Sequence, residues 1–97
     1  MAQPIVHPAA HRHGEVDSDI LAAFANPIAV YTDQGDWDLT MHIGFTAAGD
    51  RLLEVGFARP DDPADSSVVV HAMTARARYI PRRHPRTGPR TDPRTRR

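Results

Sequence analysis

Cysteine and lysine are both absent from this 97-residue sequence. Without cysteine there can be no disulfide and no thiolate metal site, and the redox compartment leaves no trace in the chain. No apolar run approaches the roughly 18 residues of a membrane span. The opening residues, Met1 to Pro8, lack the basic start and apolar core of a signal peptide, so a cytoplasmic location and no membrane partner are the expectation. The absence of lysine leaves arginine to carry the positive charge. Its bland explanation is a GC-rich coding sequence. Its functional explanation is a surface that binds nucleic acid or an acidic partner.

The arginines are unevenly placed. Residues 1–81 hold five Arg against eleven Asp or Glu, and residues 82–97 hold seven Arg against one Asp. A neutral total therefore hides a balance of −6 followed by +6. From Pro81 the chain also changes character. Pro85-Arg86-Thr87, Pro89-Arg90-Thr91 and Pro93-Arg94-Thr95 repeat every four residues, with no large apolar side chain among them. Such a segment cannot build a core. The expected organisation is a folded domain over residues 1–80 and a disordered or polyproline-like tail over 81–97. A domain of about eighty residues buries about two-thirds of its unfolded surface, so its stability margin is thin and any enzyme chemistry must work on a surface. A partner that covers an exposed face would add stability by mass action.

Within the domain the periodicity changes once. Pro4 and Pro8 make the start irregular, and Ala9 to His13 read as a turn or two of helix ended by Gly14. Asp17 and Ser18 are good caps for a helix of about nine residues carrying Ile20, Leu21, Phe24 and Ala25, which Asn26-Pro27 stops. Strand signals follow. Ile28 to Thr32 is β-branched and aromatic, and residues 33–36 are a turn. Trp37 to Ile43 alternates with a period of two. Thr46 to Asp50 is a second turn, Arg51 to Ala58 a third strand, and 59–65 a surface loop. Ser66 to Met73 is the fourth strand. Thr74 to Tyr79 fits either a strand end or a short helix. The expectation is an α+β fold, with short N-terminal helices packed on a four-stranded antiparallel sheet.

Alternation also sorts the faces. Pairing Ile43 with Leu53 and His42 with Glu54, then Val55 with Val70, puts Leu39, Met41, Ile43, Leu53, Val55, Phe57, Val68 and Val70 against the helix. The other face then shows Thr40, His42, Glu54 and His71, with Tyr31 and Met73 beside them. A His–Glu–His row suits proton transfer, because a carboxylate can orient an imidazole that titrates near neutral pH. Two imidazoles and a carboxylate could equally bind a divalent metal, and a solvated sheet face would show the same pairs. A register slip of one residue would scatter the row. Beyond the fourth strand, Arg76 and Arg78 could fork onto phosphate and Tyr79 could stack on a base; a charged strand end before a linker is the plain alternative. His7, His11 and His13 are close in sequence, and His7 and His11 have a spacing seen in metal sites. No carboxylate or cysteine completes the set, so they read as ordinary polar residues.

Several of these segments, in order, resemble the BrnT-like toxins of bacterial type II toxin–antitoxin systems. Arg12-His13-Gly14 and Phe24-Ala25-Asn26-Pro27 resemble that family's opening. His42-Ile43-Gly44 and Gly49-Asp50-Arg51-Leu52-Leu53-Glu54-Val55 resemble two of its strands. His71-Ala72-Met73-Thr74-Ala75-Arg76-Ala77-Arg78-Tyr79 resembles the "HAMPAR" signature of short actinobacterial toxins, with Thr74 where those have proline. The resemblance spans residues 11–80. It implies a RelE-like fold and a toxin that cleaves mRNA, free or on the ribosome, or blocks translation, until a small cognate antitoxin neutralises it. It implies no metal or cofactor, and assembly as a homodimer or as a heterotetramer with the antitoxin. Arg51 and Arg76 are its implied catalytic or RNA-contacting residues. Glu54 and His71 join them as the acid–base pair, and Arg78, Tyr79 and His42 as RNA contacts. The rival readings are a non-catalytic interaction module, such as a degenerate toxin, and an RNA-binding protein acting mainly through the tail.

Overall fold

The structure, a computed structural model, describes residues 3–33 and 39–81; Trp37 and the 82–97 tail lie outside the described residues. The described residues form an α+β fold with one α-helix and one sheet. Strand β1 is Ile5–Val6, a 3-10 turn follows at Pro8–His11, and helix α1 is Asp17–Ala25. Strands β2 (Pro27–Asp33), β3 (Leu39–Phe45), β4 (Leu52–Ala58) and β5 (Val68–Thr74) follow, and a second 3-10 turn covers Ala77–Tyr79. The sheet order is β1-β5-β4-β3-β2.

The sheet thus has five strands and is mixed, where four antiparallel strands were expected. The extra strand, β1, runs parallel to β5, with Ile5 beside Val68 and Val6 beside Val69. Its ladder is short: the Ile5 amide donates to the Ser67 carbonyl at 2.9 Å and the His7 amide to that of Val69 at 2.8 Å. A two-residue strand between nearby prolines is too short for alternation to reveal. The helix begins one position away from its expected cap. Val16 is the N-cap and gives no side-chain hydrogen bond, while Asp17 and Asp19 sit in the first turn, facing the positive helix end. Thr74 ends β5 and a 3-10 turn comes next, so the 74–79 segment is both a strand end and a short helix.

The β3–β4 register differs from expectation by one residue, and the turn is the reason. The Thr46 amide donates to the Arg51 carbonyl, which leaves the even-numbered loop 47–50 with Gly49 at φ +75°. His42 therefore pairs with Val55, and Ile43 with Glu54. All of β3 turns over. Thr40, His42 and Gly44 face the helix, and Met41 and Ile43 face away. Between β4 and β5 a bulge at Gly56/Phe57 changes parity again: Phe57 pairs with Val69 and Val55 with Ala72. Val69 and Ala72, rather than Val68 and Val70, join the core under α1.

That core is Ala10, Ile20, Ala23, Leu53, Val55, Phe57, Val69 and Ala72, with Val6 and Phe24 against it. Each fully buried Ile, Leu or Val there contributes about 1.5–3 kcal/mol of transfer free energy. The helix sits so low on β3 that a Cβ on Gly44 would lie 2.4 Å from the Ala23 carbonyl oxygen and 2.8 Å from its Cα. Both are backbone atoms, so relief requires moving the helix. Gly44→Ala is expected to destabilise the fold by about 2–3 kcal/mol, read from the urea midpoint. An unchanged midpoint would show that α1 does not pack this closely.

Candidate functional site

Glu54 points away from the helix, from the middle of β4, and is completely buried. A buried carboxylate keeps its charge only when donors replace water. Here they come from two places on one strand end. Its Oε1 accepts the Arg76 backbone N–H at 2.9 Å and Arg76 Nε at 3.0 Å. Its Oε2 accepts Arg76 Nη2 at 2.7 Å and His71 Nε2 at 2.9 Å. A carboxylate offers about four lone-pair positions, and all are used.

Local structure explains the meeting. Gly56 faces His71 across the β4–β5 ladder, so Glu54 lies on the diagonal from His71, within reach of a long side chain. Gly56 has no side chain to intervene; a Cβ there would come within 3.2 Å of His71 Cβ and 3.1 Å of Met41 Sδ. Beyond β5 the Ala75 amide still donates to the Leu52 carbonyl, and this holds Arg76 over Glu54. Burial by itself raises the Glu54 carboxyl, but the hydrogen bonds and charge of Arg76 and the hydrogen bond from His71 outweigh it and hold the group below the usual glutamate range.

Because an ionised carboxylate only accepts, His71 donates through Nε2. In the neutral imidazole Nδ1 is then the lone-pair nitrogen, and it has no partner among the described residues. His71 is about a quarter exposed, with the His13 ring edge-on at 5.8 Å. Beside it lies a groove of about 720 Å³. Leu39, Met41 and Val70 form its apolar part; His7, Arg12, His71 and Arg76 supply its polar groups, and among the described residues no carboxylate lines it. The chain then continues over this face. The Tyr79 ring lies 5.4 Å from the Arg76 guanidinium, 4.9 Å from that of Arg78, and 5.8 Å from the Tyr31 ring on β2.

The structure therefore brings Glu54, His71 and Arg76 together, with Tyr79 and Arg78 alongside. Arg51 and His42 lie on the other face. Arg51 forks onto Glu15 at 2.8 and 3.1 Å and reaches Thr74 Oγ1 at 3.2 Å. The hydrogen bond from Arg51 also holds the Glu15 carboxyl below its ordinary value. The His42 imidazole lies between Phe24 and Phe57, and its Nδ1–H donates to the Phe24 carbonyl at 2.8 Å. The expected His–Glu–His row is thus a His–Glu–Arg cluster. His7, Arg12 and His13 join the site from a separate N-terminal element. Only their proximity in sequence hinted at a shared location. Among the described residues no three His, Asp or Glu side chains are grouped to hold a metal ion. Among the described residues, too, no helix is long and apolar enough to cross a membrane.

No family model, curated protein or solved structure matches the chain.

The depressed Glu54 carboxyl gives a signed pH effect. Its contribution to stability is complete above the ordinary glutamate value of about 4.3 and is lost as pH falls through the lower folded-state value. Glu54→Gln is expected to cost about 2–3 kcal/mol at pH 7, the Arg76 side chain being partly solvated. The gap between wild type and variant should narrow as pH drops below about 4. Urea denaturation at several pH values measures this, and a gap that does not change with pH would contradict the ionised hub.

Proposed function

We propose that this chain is an RNA-directed toxin of a bacterial toxin–antitoxin pair, working from the open sheet face in the cytoplasm and silenced by a small antitoxin that covers that face. The observation that carries the reading is the Glu54 cluster: a buried carboxylate holds an imidazole and a guanidinium beside a groove whose described lining is cationic, with no acidic side chain among the described residues that line it. A polyanion is the natural ligand of such a surface, and its binding weakens with salt as counterions are released. Tyr79, flanked by Arg76 and Arg78, offers a stacking ring between two phosphate-binding groups.

The same geometry suits phosphodiester cleavage without a metal. His71 Nδ1 would take the proton from a ribose 2′-hydroxyl as its oxygen attacks the adjacent phosphorus; the bond from phosphorus to the next nucleotide's 5′-oxygen breaks, that oxygen takes a proton from water, and a 2′,3′-cyclic phosphate is left. Arg76 and Arg12 would stabilise the charge that gathers on the phosphoryl oxygens. Glu54 would hold the imidazole in the tautomer that leaves Nδ1 unprotonated.

One observation favours a second reading. Arg76 uses its backbone N–H, Nε and Nη2 on Glu54, as a structural pin would. A non-catalytic module that binds RNA or antitoxin would keep this pin and the groove without chemistry.

Induced expression separates the two. Wild type should arrest growth and cleave mRNA, whereas His71→Ala and Arg76→Ala should do neither. Arg51→Ala should stay active, because Arg51 pairs with Glu15 on the opposite face of the sheet. RNA bound but uncut by wild type supports the module, and the absence of arrest, cleavage and RNA binding would sink both readings.

A further inference from the structure

The helix side of the sheet is only partly covered. α1 packs on β3 and β4, and beside its C-terminal end lies a groove of about 750 Å³ reaching from Pro27 to the 59–67 loop. Its wall is aromatic: Phe24 and Phe57 meet with ring centroids 4.8 Å apart, and His42 lies 4.6 Å from Phe57. Prolines Pro27, Pro60 and Pro63 line it too. The Nδ1–H of His42 is spent on the Phe24 carbonyl, so Nε2 is left as an acceptor without a partner among the described residues. The loop at the groove's end carries Asp61, Asp62 and Asp65, all exposed. None of the three pairs with a cation among the described residues. Among the described residues Arg59 is the one arginine lining the groove, and these carboxylates outnumber it.

An aromatic and proline-lined groove with acceptors at its rim fits an extended peptide of proline and donor side chains. Proline-rich segments dock in this way because their backbone is already close to the bound form. The chain carries such a peptide. Residues 82–97 hold three Pro-Arg-Thr repeats and a charge of +6, against −6 for residues 1–81.

We propose that this groove is the docking site of the chain's own 82–97 segment, with its prolines on the Phe24–Phe57 wall and its arginines on the Asp61–Asp65 loop. The path is short. The described chain passes Tyr79 over Tyr31, which is on edge strand β2, and the groove begins at Pro27 on that same strand. Sixteen residues at about 3.1 Å each span about 50 Å. That is ample to round one strand edge and cross a layer about 10 Å thick. The proposal concerns the face opposite the Glu54 cluster and does not depend on the RNA reading.

The absence of cysteine makes the test direct. A nitroxide is attached to the full-length Gly88→Cys variant, and amide signals are compared with the label oxidised and reduced. The expected result is loss of intensity at Leu21, Phe57 and Asp65, and recovery when Asp61→Asn, Asp62→Asn and Asp65→Asn are combined. No loss at these amides, equal loss at Met41 and His71, or loss that persists in the triple variant would overturn the proposal. A mixed sample, with the nitroxide on one copy and ¹⁵N on the other, reports docking between copies. Loss appearing there with equal strength would also overturn it.

Discussion

A carboxylate with no exposed surface stays charged only if every lone pair finds a donor, and much of the open face is arranged around meeting that condition for Glu54. Four of its hydrogen bonds come from Arg76 and one from His71. Because the Arg76 backbone amide is among the donors, the pairing fixes main chain as well as side chain. It sets the direction in which the chain leaves β5, and so carries Tyr79 across the face to Tyr31. Met41 and Ile43 are buried on this same face, although the helix lies on the other side of the sheet. On this face the Tyr79 ring lies against Tyr31, the β2 residue that pairs with Met41.

Much of the fold was visible in the sequence, because alternation and turn chemistry are local. The helix length, its stop at Asn26-Pro27, the Thr46–Asp50 turn and the 59–65 loop all follow from neighbouring residues. What alternation cannot supply is the parity of a loop. The hairpin closes with 47–50 between paired Thr46 and Arg51, and that one-residue difference reversed the whole of β3. Gly44 carried a clue. A glycine among alternating large residues often marks close backbone approach, and here Ala23 is what approaches.

The site was legible in proportion to how locally it is built. Glu54 and His71 were placed on one face even though the assumed pairing was wrong, because the bulge at Gly56/Phe57 spoils parity only beyond His71. His42 sat on the strand that flipped and went to the opposite face. Arg51 is two residues before Leu53, whose side of the sheet it shares, and it pairs there with Glu15. Arg12, His7 and His13 reach the site only because β1 adds to the outer edge of β5. No local pattern announces that pairing, since it depends on a contact between residues some sixty positions apart.

Using one carboxylate to hold both the fold and the candidate chemistry has a consequence for how the two can be told apart. Removing Glu54 or Arg76 breaks a buried ion pair, so stability and activity would fall together, and neither loss could be assigned to chemistry alone. His71 is different. Its Nε2 serves the fold by satisfying Glu54, while Nδ1 serves nothing among the described residues. A purely structural donor would need only one nitrogen, and a serine, an asparagine or a second arginine could fill that place. Imidazole adds to such a donor a second nitrogen, on a side chain that lines a groove with Arg12 and Arg76. The case for chemistry at this site therefore narrows to one atom, His71 Nδ1, whose orientation Glu54 sets.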